Sequence, residues 1–185
     1  MSYKKSKFNI SKSTGRIALL GILGAQALAL SFLENLIPPI AGLPPGAKLG
    51  LSNIVTMFTA STMGFSSAIY ITIIKALFVG TTRGATAFFM SIAGGLLSTV
   101  VMSLLLRIKS RPFGILGIAV ASAVAHNLGQ LIVATIISGT AMFVIYAPFL
   151  LLFALVSGCI TGCILKALMP VLEKQNQLFN QIDRK

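Results

Sequence analysis

A small set of side chains in this chain can bind, orient or neutralise a ligand: Lys48, Asn53, Lys75, Arg83, His126, Asn127 and Gln130. Ser122, His126 and Gln130 recur at intervals of four, so a helix places them on one face, with Asn127 beside them. The surrounding residues are Ala, Val, Ile and Leu, so this polar stripe must look into a bundle or a wet cavity. It either ties helices together by hydrogen bonds or holds a ligand, and the residue types suit both roles. Lys75 has two readings as well. Its amine snorkels outward or pairs with Glu34, or it joins Lys48 and Arg83 in a basic lining for an anionic group.

Chemistry that makes or breaks covalent bonds is not written into this chain. Its three acids, Glu34, Glu173 and Asp183, are scattered, its only histidine is His126, and no glycine-rich loop ends in a phosphate-binding lysine. Prenyl transfer carried out alone would need acidic motifs to hold magnesium and diphosphate, and an ATP-driven pump would need a nucleotide-binding domain. We read the chain as non-enzymatic, with no cofactor and no metal. Cys159 and Cys163 share one helical face without the geometry of a relaxed disulfide or an accompanying ligand set. They read as small packing residues next to the close-contact pair Gly158 and Gly162.

The elements that position these residues must be membrane helices. With 56% hydrophobic residues and a mean hydropathy of +0.93, the chain has more apolar surface than a soluble domain of its size can bury. Crossing the hydrocarbon core takes about 20 apolar residues in a helix. Strict alternation is absent, which excludes a barrel. Clear runs are Ile17–Ile37, Ala87–Leu106, Ile115–Ser138 and Phe143–Met169. The stretch Leu51–Gly80 is broken at Gly64 and reads as two short helices, Leu51–Met63 and Ser66–Val79, both shorter than the bilayer is thick.

Charge placement orients these spans. Of 15 Lys and Arg, most cluster before the first span, in the loop Arg107–Arg111 and after the last span, which puts all three clusters on one side if there are six spans. The expectation is an all-α polytopic membrane protein with six transmembrane helices and both termini cytoplasmic. It divides into a basic segment 1–16, a helical domain 17–170 and a polar tail 171–185. The basic residues then serve topology and lipid headgroups rather than nucleic acid. A cleavable leader ending near Ala27-Leu28-Ala29 is disfavoured, because the apolar run continues through Leu33.

Two further features concern partners. Gly21, Ala25 and Ala29 in the first span, and Ser91, Gly94, Gly95 and Ser98 in the fourth, form flat faces for a neighbouring helix, inside the molecule or on a separate membrane subunit. The segment Pro38–Gly50 holds four prolines and little charge, so it is irregular backbone that reads as a lid or re-entrant loop at the outer face.

Four stretches resemble a known family: Ile37-Pro38-Pro39, Lys48–Thr56, Ser91–Ser98 and Ala123–Leu131. Together they are similar to the bacterial membrane family labelled Gx transporter or heptaprenyl diphosphate synthase component I, over about Arg16–Pro170. The resemblance implies a bundle like the substrate-binding (S) components of energy-coupling factor (ECF) uptake transporters, in the bacterial cell membrane. Such a protein captures a small-molecule ligand at the outer face, in a cavity formed by spans four to six and the proline-rich loop. Its first-helix small residues, here Gly21, Ala25 and Ala29, dock a coupling membrane subunit that works with an ATPase pair. The family label implies a different partner, a polyprenyl diphosphate synthase for which this chain is a non-catalytic membrane component.

Overall fold

The computed structural model describes residues 12–36, 50–108, 114–139 and 142–182. The segment Pro38–Leu49 of the expected lid, Lys48, and the loop residues Lys109 and Arg111 lie outside the described residues. Those described form six helices: α1 Lys12–Leu36, α2 Ser52–Thr62, α3 Phe65–Arg83, α4 Ala85–Arg107, α5 Gly114–Ser138 and α6 Met142–Ile182. Five of them are long and apolar enough to cross a membrane. The exception is α2, whose 11 residues rise about 16 Å against a hydrocarbon core of about 30 Å.

The hairpin between α2 and α3 turns where expected, at Gly64, whose φ of 90° is open to glycine and strained for other residues. The expectation of two short helices fails for α3, which runs on to Arg83. Its Gly80-Thr81-Thr82 stretch does not break the helix, because the Thr81 and Thr82 hydroxyls both donate to the Phe78 carbonyl at 2.8 and 2.9 Å. Gly80 instead lets Phe88 of α4 approach, and Gly84 with φ 88° makes the whole α3–α4 turn. At the other extreme, α6 continues through Pro170, so the tail expected from residue 171 begins as helix.

The short helix α2 sits at the centre and packs on α1, α3, α4 and α6. Seven of its residues, Ser52 and Ile54 to Thr59, are buried, and its buried threonines are satisfied within the helix, Thr56 donating to the Ser52 carbonyl at 3.5 Å and Thr59 to the Val55 carbonyl at 2.8 Å. Its two ends are held by α1. Arg16 donates to the Met63 carbonyl at 3.0 Å, and the Glu34 carboxylate accepts from the Leu51 amide at 2.5 Å and the Ser52 hydroxyl at 3.3 Å. Each charge sits at the pole of α2 that its sign favours.

These bonds define the two ends of the molecule. Arg16, Met63, Arg107 and the start of α5 share one end, called here the basic end. Glu34, Gly50, Arg83 and the end of α5 share the other. The apolar core, with Leu23, Val55, Phe58, Ile71, Met102 and Leu165, fills the half toward the basic end. Outward faces carry Phe32, Tyr70, Leu77, Phe89, Ile136 and Leu152, all half or more exposed, as hydrocarbon-facing residues should be.

Glycine sets the helix spacing in the second half of the chain. A Cβ on Gly129 of α5 would lie 2.8 Å from both the Ala93 carbonyl oxygen and Gly94 Cα of α4; one on Gly158 of α6 would lie 2.6 Å from Val120 Cα. The small-residue face of α4 is therefore internal, since Gly94, Gly95 and Ser98 are all buried. That of α1 is not: Gly21, Ala25 and Ala29 face outward. Cys159 and Cys163 are also exposed and do not pack inside, because Gly158 and Gly162 take the inward side of α6.

Candidate functional site

The half of the bundle opposite the basic end holds a half-open cavity of about 200 Å³, whose lining includes the two charged side chains that are buried among the described residues. Glu34 is 5% exposed and Lys75 is 7% exposed. Glu34 reaches the site because it lies one helical turn past Ser31 on the inward side of α1, and the start of α2 meets it there. Gly50, with φ 78°, folds the chain so that its carbonyl accepts from the Asn53 amide at 2.9 Å. That turn also aims Asn53 at α3, where the Lys75 ammonium donates to its Oδ1 at 2.8 Å.

The remaining walls come from α3, α4 and α5. Val79, Ala87 and Met90 supply an apolar side, Ser31, Ser52, Thr86 and Ser91 supply hydroxyls, and Arg83 stands exposed at the rim. His126 and Gln130 form the floor, pressed there by α4. A Cβ on Gly94 would fall 2.6 Å from the His126 carbonyl oxygen and 2.8 Å from Gln130 Cγ, so only glycine permits this approach.

A second, water-sized cavity of about 20 Å³ lies on the far side of His126 and Gly50, lined also by Asn53, Met57, Ser122, Asn127, Ser157 and Thr161. Here the polar groups serve packing as well. Ser122 donates to the Ser98 carbonyl of α4 at 3.3 Å, and Asn127 to the Leu150 carbonyl of α6 at 3.4 Å. The stripe on α5 therefore divides its labour: Ser122 and Asn127 tie helices, while His126 and Gln130 line the larger space.

Of the expected ligand residues, Lys75, Arg83, His126 and Gln130 meet at the larger cavity. Asn53 and Asn127 border the smaller one, and Lys48 lies outside the described residues. The expected walls need correction, since the larger cavity is lined by α1 to α5 with no described contribution from α6. The reason is the burial of α2, whose first turn brings α1 and α3 against the site and leaves α6 to pack on α5 lower down. The sequence offers Glu34 as an intramembrane charge able to pair with Lys75; its hydrogen bonds are to the start of α2, and Lys75 donates to Asn53. Ser31, Ser52, Thr86 and Met90 were missed. Ser31 and Glu34, three apart on an otherwise apolar helix, carried a signal that pointed to them. Among the described residues no cluster of His, Cys, Asp or Glu could hold a metal ion.

No curated protein and no solved structure matches the chain. Residues 23–168, which span the cavity and the buried core from Leu23 to Leu165, match the family described as heptaprenyl diphosphate synthase component I. This multi-pass membrane protein, with its charged cavity at one end, belongs to the heptaprenyl diphosphate synthase component I family.

Proposed function

We propose that the chain is the non-catalytic membrane subunit of a polyprenyl diphosphate synthase and holds the catalytic subunit at its basic end. The family match over residues 23–168 carries this reading. Placement of the charges supports it. Arg16, Arg107 and Lys166 are exposed at the basic end, Lys109 and Arg111 follow in sequence, and α6 runs on well past its apolar span Tyr146–Leu168. With this end in the cytoplasm, as Lys and Arg placement favours, a soluble enzyme acting on diphosphates has a basic surface and a projecting helix to engage.

The test is to purify the tagged chain from its host in mild detergent and identify the accompanying proteins. A polyprenyl synthase should be prominent, and Arg107→Glu should reduce it about tenfold, with membrane orientation checked separately since Arg107 also bears on topology. Recovery of no synthase from the unaltered protein would refute the reading.

The cavity favours a second reading, in which the chain captures a small molecule and serves as the substrate-binding component of an uptake transporter. Its docking face for a coupling subunit is then Gly21, Ala25 and Ala29. A Cβ on Gly21 meets nothing within 4 Å, so this face is open to a neighbour. Under this reading Ala25→Trp should abolish association with a coupling subunit and its ATPases and leave the fold intact. Undiminished association after that substitution would remove the docking face from consideration.

A further inference from the structure

We infer that the larger cavity is built for a small organic monoanion with an apolar body, and that it does not hold the polyprenyl chain. The inference rests on the cavity being a ligand site and is independent of which protein the basic end engages.

Charge comes first. Two cations, Lys75 and Arg83, and one carboxylate, Glu34, line the cavity, an excess of one positive charge among the described lining residues. Glu34 accepts from the Leu51 amide and the Ser52 hydroxyl, and its charge is already counted in that excess. A ligand carrying one negative charge restores neutrality in a half-buried, low-dielectric space, whereas a diphosphate brings more negative charge than the walls can balance beside Glu34. The two cations also differ in depth. Arg83 is exposed at the rim and Lys75 is buried, so an anion entering past the first reaches the second.

Size and surface narrow the class further. An engineered apolar cavity of about 150 Å³ accommodates benzene, so a space of about 200 Å³ takes a molecule only modestly larger. A chain of seven isoprene units is several times too big to be housed whole within it. Val79, Ala87 and Met90 offer apolar contacts for the body of the ligand, alongside hydroxyls and the His126 and Gln130 side chains, which suit its polar edge.

Benzoate, its uncharged isostere benzamide, and farnesyl diphosphate discriminate the alternatives. Each is titrated onto the full-length protein in detergent, with thermal unfolding and calorimetry as readouts. Benzoate should raise the midpoint in a saturable way, benzamide and farnesyl diphosphate should not, and Lys75→Gln should abolish the response. Should Lys75→Gln fold poorly, Arg83→Gln gives the same information from an exposed position. It should leave the ligand-free midpoint unchanged and weaken benzoate about threefold to tenfold. Equal responses to benzoate and benzamide would overturn the monoanion assignment while leaving a ligand site in place. Preferential binding of farnesyl diphosphate would overturn the size argument, and no response to any probe would overturn the ligand site itself.

Discussion

Gly129→Ala should lower the unfolding midpoint of the purified protein by several degrees, whereas Gly21→Ala, the same change on another helix, should leave it unchanged or slightly raised. The difference is what the new methyl group meets. At Gly129 it would sit 2.8 to 2.9 Å from backbone atoms of Ala93 and Gly94, and backbone cannot swing aside as a flexible side chain can. The α4–α5 pair must separate along its length, which overpacking data place at about 1–3 kcal/mol. For a chain of this length each kcal/mol corresponds to about 2–4 °C. At Gly21 nothing lies within 4 Å, and replacing glycine in a helix is worth up to about 1 kcal/mol in favour of alanine. Gly94→Ala should add a loss of benzoate binding to the loss of stability, since its methyl group strikes the His126 carbonyl oxygen and Gln130. If Gly129→Ala unfolds with an unchanged midpoint, the close α4–α5 contact is wrong.

Glu34→Leu should be the most damaging single substitution in α1, costing about 3–5 kcal/mol, with Glu34→Gln losing less than half of that. Leucine leaves the Leu51 amide without its acceptor, a loss of about 1–3 kcal/mol for a buried donor. It also leaves the Ser52 hydroxyl without its acceptor and removes the negative charge from the positive pole of α2. Glutamine retains an oxygen for Leu51 and gives up mainly the charge at the positive pole of α2. Amide exchange offers a local readout. In Glu34→Leu the first turn of α2 should exchange faster than its middle, and equal protection throughout α2 in that variant would show that Glu34 does not hold this end.

How far residue types and spacing reveal this protein differs between its halves. The helix count, the Gly64 turn and the internal close contact at Gly158 and Gly162 follow from hydropathy and small-residue spacing, because each is local or involves one neighbouring helix. The length of α3 was not legible, since Gly80, Thr81 and Thr82 look like a terminus until the threonine hydroxyls are seen bonding back to Phe78. The site was legible as a list of polar residues in apolar helices, and four of the seven do line the larger cavity. Their division of labour was not. Asn127 and Gln130 are alike in chemistry and adjacent on α5, yet one reaches the Leu150 carbonyl and the other the cavity, which depends on where α6 and α4 lie. Glu34 was underrated because its partners are a backbone amide and a hydroxyl seventeen or more residues away, which no spacing rule connects.

The uneven helix contacts set α1 apart from the rest of the bundle. α4, α5 and α6 share long, glycine-seated seams, while α1 rests mainly on α2 and α3 and grips α2 through one charged side chain at each end. A seam of backbone against backbone has no rotamers to rearrange, whereas α1 is the most thinly packed of the six described helices and is the one expected to exchange its amides first. The least anchored helix is thus the one whose other face presents Gly21, Ala25 and Ala29 to the surroundings.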